Sequence, residues 1–200
     1  EGDSGLNTGG MGAVSPVPFA KGAFLEKVEE RIVKPTIDGF KKDGIAYKGF
    51  VFIGLMNVNG EPIVIEYNVR MGDPESEVVL PRITSDLLEI LIATGQKKLS
   101  EKVLEVDERT ATTVMVVSGG YPGDYEKGKP ITGLNDVEDA LIFHAGTLFN
   151  FGSKENMVVT NGGRVIAVSA LGKNMDEALK VCYNNAEKIK FEGKYFRGDI

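Results

Sequence analysis

Two apolar runs on either side of an Asn-Gly pair constrain the fold more than any other feature of this chain. One run covers residues 49–56 and the other covers residues 62–69, with Asn59-Gly60 between them. Asn-Gly supplies the two residues of positive φ that a tight hairpin turn requires. The sequence therefore predicts an antiparallel β-hairpin at this place.

The second strand of this hairpin carries polar residues at alternate positions. Side chains alternate across a strand, so Glu66, Asn68 and Arg70 are expected on one face. A carboxylate and an amide two residues apart can share a hard cation such as Mg²⁺. A guanidinium beside them can bind phosphate or carboxylate through two hydrogen bonds. The alternative is a solvated edge-strand face that binds nothing.

The four residues that follow the strand are typical of a turn into a helix. They read Gly72-Asp73-Pro74-Glu75. Asp is favoured as an N-cap, Pro at the first helical position and Glu in the first turn. The pattern predicts that the polar strand face leads directly into a helix N-terminus capped by Asp73.

The chain opens on a glycine-rich segment, Asn7-Thr8-Gly9-Gly10-Met11-Gly12. It matches neither the dinucleotide G-x-G-x-x-G pattern nor a Walker loop with its lysine. Adjacent glycines nevertheless let backbone N–H groups approach an anion closely, and Thr8 adds a hydroxyl. A flexible loop without a ligand is the alternative interpretation.

Periodicity predicts an α+β chain with two regions, residues 1–104 and a strand-rich part at 105–200. The first region should hold a helix at 18–40, a helix that begins at 74 and a helix at 86–94. Pro35 should break the first of these helices or start a second one. Ser85 should cap the helix at 86–94, and Gly95 should end it. The second region should hold strands at 112–118, 140–149, 157–160 and 164–171, with a turn at 161–163 joining the last two, and a helix at 176–190.

Composition excludes several classes of protein. A net charge of -6 argues against a nucleic-acid partner, because phosphate backbones require a basic surface.

Cys182 is the only cysteine and is expected to be an inert residue of the core. His144 is the only histidine and is expected to have a structural role. There is no apolar run of the ~20 residues that a membrane helix needs, and no signal-peptide pattern. We therefore expect a soluble cytoplasmic protein.

Several motifs together resemble one family of ligases. They are the polar strand and its turn at 63–75, the opening segment 2–16, and the segments 47–56, 119–125, 143–147 and 159–165. In this order they resemble the glycinamide ribonucleotide synthetases, or phosphoribosylamine-glycine ligases, which are ATP-grasp enzymes. The resemblance covers essentially the whole chain. It implies the carboxy-terminal half of an ATP-grasp catalytic domain at 1–104, with an antiparallel sheet and flanking helices, followed by a small β-rich domain at 105–200.

The start of the chain bears on what this polypeptide could do alone. It opens at Glu1, without an initiator Met and inside what resembles a functional loop. We expect the carboxy-terminal portion of a longer enzyme, lacking an amino-terminal part and inactive without it. The family usually has Asp-Gly-Asp where this chain has Glu1-Gly2-Asp3, so Glu1 keeps the negative charge on a longer side chain.

The activity implied by the resemblance is ligation through an acyl phosphate. ATP, with Mg²⁺ or Mn²⁺, phosphorylates the carboxylate of glycine, and the amine of 5-phosphoribosylamine then displaces phosphate. The resemblance implies Glu66 and Asn68 as metal ligands and Arg70 as the catalytic residue. The substrate contacts that it implies are Asp3, Asn7, Thr8, Gly9, Gly10, Met11, Arg70 and Asp73. The alternatives are another ATP-grasp ligase with a different acceptor, or a non-catalytic binding module.

Overall fold

The computed structural model describes residues 1–2, 4–8, 10–151 and 157–200. Contacts divide the chain into two compact units. The first consists of Glu1–Ser15, Asp73–Arg82 and Glu108–Ile200, and the second of Pro16–Gly72 and Ile83–Asp107. The predicted boundary between residues 104 and 105 concerns family domains rather than contacts, and it stays a prediction.

Helices and strands are mixed along the chain, as the α+β prediction requires. In chain order the strands are β1 (Gly12–Ser15), β2 (Phe52–Val58), β3 (Glu61–Asn68), β4 (Thr110–Ser118), β5 (Leu141–His144), β6 (Thr147–Asn150), β7 (Met157–Thr160), β8 (Arg164–Gly172) and β9 (Lys194–Tyr195). The α-helices are α1 (Ala23–Val28), α2 (Lys34–Lys42), α3 (Ser76–Val79), α4 (Leu87–Gln96) and α5 (Met175–Lys188). Of the helices that the structure describes, none is both long enough and apolar enough to cross a bilayer.

The first unit is built on an antiparallel sheet. Its strand order is β1-β4-β8-β5, and the short β9 also pairs with β4. The two central strands, β4 and β8, are buried along nearly their whole length. Because both faces of these strands are covered, their buried apolar residues do not alternate with exposed polar ones, and the polar residues Thr112, Thr113 and Ser169 are themselves buried. β1 was not predicted, since its four residues follow directly on the glycine-rich loop.

Helix α5 packs on β4 and β8 and closes the core of the first unit. The helix begins at the predicted place, where the Asn174 side chain caps it by accepting a hydrogen bond from the Glu177 N–H at 2.9 Å. Ala178, Cys182 and Ala186 are fully buried on its inner face. Burial raises the pKa of the Cys182 thiol, so this cysteine is the inert core residue that the sequence predicted.

The predicted strand at 140–149 is in fact two strands in different sheets. β5 pairs with β8, whereas β6 pairs with β7 in a separate ribbon. The chain crosses from one sheet to the other at Gly146, where a Cβ would lie 2.4 Å from the Arg164 carbonyl oxygen and 2.6 Å from the Gly162 Cα. The turn at 161–163 joins β7 to β8 as predicted, but these two strands do not pair with each other.

The second unit contains the predicted hairpin. β2 and β3 are antiparallel, and both turn residues, Asn59 and Gly60, have positive φ. Glu61, at the start of β3, forms ion pairs with Lys27 and Arg31 from the helical segment that runs from α1 through a π-helical turn into α2. Pro35 lies in the first turn of α2, directly after the π-helical turn. The backbone stays helical through this point, so Pro35 marks the beginning of α2 without breaking the helical segment.

Helix α4 occupies the predicted segment, but its ends differ from the prediction. Asp86 rather than Ser85 is the N-cap and accepts a hydrogen bond from the Glu89 N–H at 3.1 Å. The Ser85 hydroxyl instead bonds the backbone of Val103 and Glu105. The helix continues through Gly95 and ends where Lys97 adopts the left-handed conformation.

Candidate functional site

Glu66 and Asn68 lie side by side at the end of β3. The Asn68 Nδ2 donates a hydrogen bond to the Glu66 Oε1 at 3.0 Å. The two residues are cross-strand partners of Gly54 and Phe52 on β2. The Glu66 side chain is exposed and Asn68 is half-buried. Both therefore have the shared face and the short separation that strand alternation predicted.

A β-bulge directly precedes this pair. Gly54 pairs with Glu66 and Leu55 pairs with Val64, so Ile65 is an extra residue on β3. A bulge bends a strand and redirects the side chains next to it. The bulge was not predicted, because its position depends on how β2 pairs with β3.

The absence of a side chain at Gly54 leaves room for the Glu66 side chain. A Cβ at position 54 would lie 3.0 Å from the Glu66 Cγ, which is too close for a relaxed contact. Gly54 is thus a functional candidate that sequence reasoning missed. The only available signal was a glycine inside an apolar strand, which often marks a bulge or a close approach.

The chemistry of the Glu66–Asn68 pair fits a divalent cation with oxygen ligands. Rotating the Asn68 amide by half a turn exchanges its Nδ2 and Oδ1, and two hard oxygens then face the same space. Among the described residues no three His, Cys, Asp or Glu side chains form a group that could hold a metal ion. This pair therefore suits a cation that keeps waters and takes its remaining ligands from phosphate, as Mg²⁺ does.

Arg70 is not placed by strand alternation, because β3 ends at Asn68. It follows in a bend, exposed, with its Nη1 donating a hydrogen bond to the Met71 carbonyl at 2.9 Å. The prediction that Arg70 shares a strand face with Glu66 and Asn68 was wrong for this reason.

Asp73 is not a helix N-cap. Helix α3 begins at Ser76, and its N-cap residue is Glu75, which makes no side-chain capping bond. The Asp73 carboxylate instead accepts a hydrogen bond at 2.9 Å from the Nη2 of Arg164, a residue that sequence reasoning did not single out. Arg164 lies 91 positions further along the chain, so no local signal could have linked the two.

The opening loop borders a cavity of about 550 Å³ in the first unit. Its wall includes Asn7, Thr8 and Met11 from the loop together with Tyr121 and Tyr195. The Met11 side chain is otherwise buried against Met115, Val117 and Ala167. Gly10, directly before Met11, has a positive φ. The predicted substrate residues Asp3 and Gly9 lie outside the described residues.

The carboxy-terminal segment, through Arg197, forms one edge of this cavity. The Nε and Nη2 of Arg197 donate hydrogen bonds of 2.8 Å to the two carboxylate oxygens of Asp199. Asp199 in turn accepts a bond from the Gly2 N–H at 2.8 Å. The hydrogen bond from Arg197, reinforced by the one from Gly2, holds the pKa of the Asp199 carboxyl well below its usual range.

Glu77 is an acidic residue whose carboxyl lies in an environment unfavourable to its charge. Its Oε2 is buried and has no hydrogen-bond partner in the described part of the chain. Burial raises the pKa of Glu77 above the ordinary value of 4.5, and the nearby Asp73 raises it further, while Arg164 opposes the shift. The charged form of Glu77 is therefore disfavoured in the folded protein.

We expect Glu77→Gln to be at least as stable as the wild type at pH 8. A carboxyl whose pKa is raised on folding penalises the folded state while it is charged, and the penalty disappears as it becomes protonated. The advantage of the variant should therefore shrink as the pH falls through the raised pKa towards 4.5. Melting temperatures of both proteins at pH 8, 6 and 5 measure this.

The matched control for Glu77→Gln is Glu126→Gln. Hydrogen bonding to Lys129 lowers the pKa of the exposed Glu126, so this change should have the opposite sign and cost stability above pH 4.5. Identical pH profiles for Glu77→Gln and the wild type would contradict the assignment.

Comparison with known proteins shows one consistent likeness. The family model described as phosphoribosylglycinamide synthetase, ATP-grasp (A) domain, matches residues 1–76, and the model for the C domain of the same synthetase matches residues 111–200. Phosphoribosylamine--glycine ligase of Caldanaerobacter subterraneus subsp. tengcongensis is 46% identical over the whole of this chain and 47% of its own length. A bifunctional purine biosynthetic protein of Pichia angusta is 48% identical over all of this chain and 25% of its own length.

Solved structures agree with the sequence comparisons. The crystal structure of phosphoribosylamine--glycine ligase from Thermotoga maritima matches 100% of this chain and 48% of its own, with a TM-score of 0.84 and 39% identity. N5-carboxyaminoimidazole ribonucleotide synthetase from the same organism matches 90% of this chain and 45% of its own, with a TM-score of 0.57, and at 14% identity this shows a shared fold alone. The chain spans about half the length of the phosphoribosylamine--glycine ligases that it matches.

Proposed function

Because this chain belongs to the phosphoribosylglycinamide synthetase family, we propose that the full-length protein ligates glycine to 5-phosphoribosylamine. The products are glycinamide ribonucleotide, ADP and phosphate, with a glycyl phosphate as intermediate. The observation that carries the proposal is the carboxylate–amide pair of Glu66 and Asn68, 3.0 Å apart on one strand face, within a chain that is 46% identical to a ligase of this name. A cytoplasmic location is part of the same proposal.

Family domains are part of the proposal. We assign residues 1–104 to the carboxy-terminal half of the ATP-grasp domain and residues 105–200 to the carboxy-terminal domain. The matches of the A-domain model to 1–76 and of the C-domain model to 111–200 support this division.

Glu66 and Asn68 would hold Mg²⁺ or Mn²⁺. Both offer oxygen ligands on one face, which suits a hard cation. A cation bound there would neutralise charge on the phosphate oxygens of ATP. Gly54 keeps the opposite position clear, so that the Glu66 carboxylate retains its orientation.

Arg70 is assigned to the transferred phosphoryl group or the glycyl phosphate. Phosphoryl transfer needs stabilisation of negative charge more than an acid–base pair, and an exposed guanidinium supplies it through paired hydrogen bonds. Its bond to the Met71 carbonyl occupies one donor of a group that has five.

The glycine-rich loop and Asp73 are assigned to substrate contact. Asn7, Thr8 and Met11 border the cavity of about 550 Å³ in the first unit, and Gly10 lies directly before Met11 in the same loop. Backbone N–H groups and the Thr8 hydroxyl suit an anionic, hydroxyl-rich substrate. Asp3 and Gly9 are assigned to substrate contact from the sequence alone. Asp73 is assigned to contact with the amine of 5-phosphoribosylamine.

We expect Gly54→Ala to weaken Mn²⁺ binding about tenfold, the scale on which residues that support metal ligands act. The added methyl would press on the Glu66 Cγ and turn the carboxylate away. Electron paramagnetic resonance of the full-length protein titrated with Mn²⁺ and ATP measures the affinity. Gly39→Ala is the matched control, because a Cβ there meets nothing within 4 Å in the same unit. Equal Mn²⁺ affinity in the two variants would contradict the role of Gly54.

ADP release by the full-length protein tests the function itself. It should require Mg-ATP, glycine and phosphoribosylamine generated in the cuvette. ADP formation with a different acid or amine would keep ATP-grasp ligase chemistry and discard this substrate pair. No ADP under any of these conditions would favour a non-catalytic binding module.

A further inference from the structure

One guanidinium joins two segments of the first unit to which substrate contacts are assigned. Arg164, the first residue of β8, donates from its Nη2 to the Asp73 Oδ2 at 2.9 Å. Its Nη1 donates to the Asp73 carbonyl at 3.0 Å and to the Gly10 carbonyl at 3.4 Å. A single side chain thus bonds the carboxylate and backbone of Asp73 and the backbone of the glycine-rich loop.

The guanidinium of Arg164 approaches Gly10 closely because glycine has no side chain. Gly10 has a positive φ, and a Cβ on it would lie 2.5 Å from the Arg164 Nη1. The next residue, Met11, is buried, and its carbonyl accepts a bond from the Met115 N–H at 3.0 Å. The end of the loop is therefore fixed to β4, and Arg164 fixes the residue just before it.

The surroundings of Arg164 strengthen these bonds. Its side chain is 26% exposed, against 52% for Asp73, so the guanidinium is the more desolvated partner. A β-bulge at Val165 sets its direction, since Val117 pairs with Arg164 while Val116 pairs with Ile166. The planar fork of an arginine can serve three acceptors at once, whereas a lysine ammonium is a single point charge.

We propose that Arg164 is a positioning residue for the amine substrate. It orients the Asp73 carboxylate and holds the glycine-rich loop at a fixed distance from it, without touching the reacting atoms. The inference rests on the proposed function, because Arg164 acts only through groups assigned to phosphoribosylamine. Its loss should affect the kinetics of that substrate and spare the binding of Mg-ATP.

Steady-state kinetics of the full-length protein test this, with Arg164→Met, Arg164→Lys and the surface control Arg31→Met. Loss of charge-assisted hydrogen bonds should lower kcat/KM for phosphoribosylamine roughly 10- to 100-fold in Arg164→Met. Arg164→Lys should be intermediate, and KM for Mg-ATP should stay within about twofold in all three. Arg31 pairs with Glu61 at the surface of the other unit, so its loss should leave every constant unchanged.

A double-mutant cycle with Asp73→Asn separates a positioning role from a structural one. If Arg164 acts through Asp73, adding Arg164→Met to Asp73→Asn should lower kcat/KM for phosphoribosylamine much less than Arg164→Met does alone. Additive losses would overturn the inference. So would an equal decline for all substrates that follows a lowered melting temperature.

The remaining outcomes are also decisive. If Arg164→Met does not fold, Arg164→Lys carries the test, and an unchanged kcat/KM for phosphoribosylamine in that variant would overturn the inference because an ammonium cannot keep all three contacts. A wild-type protein that forms no ADP would count against the proposed function instead. A fully active wild type with unaffected Arg164 variants would count against this inference alone.

Discussion

Glu66→Gln should lower kcat of the full-length protein by roughly 10²- to 10³-fold, the loss that follows removal of a group stabilising charge in the transition state. The change keeps the shape of the side chain and its ability to accept the bond from the Asn68 Nδ2. It removes the negative charge that would attract a divalent cation. Because Glu66 is exposed at the end of β3, the fold should not depend on that charge.

The measurements for this variant are ADP formation, Mn²⁺ affinity and melting temperature. Glu61→Gln is the matched control, since it makes the same chemical change on the same strand. Glu61 forms surface ion pairs with Lys27 and Arg31, which contribute little to stability. The control should keep full activity. A folded Glu66→Gln protein with wild-type turnover and Mn²⁺ affinity would remove the metal site from the proposal.

Ile166→Ala should lower the free energy of unfolding by roughly 2–5 kcal/mol, the range for deleting a large buried aliphatic side chain. Ile166 is 0% exposed on β8, between its partners Val116 on β4 and His144 on β5. The close packing of this core leaves the neighbours little freedom to fill the cavity. The effect should be the largest of any substitution considered for stability.

Urea unfolding followed by circular dichroism measures this loss. Leu141→Ala is the control, because leucine has the same number of carbons as isoleucine and Leu141, on the adjacent β5, is 45% exposed. We expect it to cost less than about 1 kcal/mol, since exposed side chains lose little transfer free energy. Equal losses in the two variants would show that the β4–β8 core is not where the stability of this unit lies.

The sequence predicted the elements whose signals are local. Asn59-Gly60 predicted the hairpin, and alternation predicted the shared face of Glu66 and Asn68. Helical periodicity predicted α5, with its buried Cys182. Each of these depends on residues a few positions apart, and the preference for a turn or a periodic face is set within that window.

Predictions failed where a residue's role depends on a distant partner. Asp73 has the residue type of a helix N-cap, but the bond that it makes is to Arg164. Arg70 matched the alternation, but β3 had already ended at Asn68. A single strand was predicted at 140–149, but pairing with β8 on one side of Gly146 and with β7 on the other divides it.

By itself the sequence determined the family, the α+β class and the pair of residues suited to a metal, because several different motifs occur in a fixed order along the chain and side chains alternate along a strand. Only the tertiary structure decided the bulge opposite Gly54 and the contacts of Arg164 with Asp73 and Gly10. The physical reason is that strand register and long-range hydrogen bonds form only when separate segments pack together, and no local propensity specifies which segments those will be.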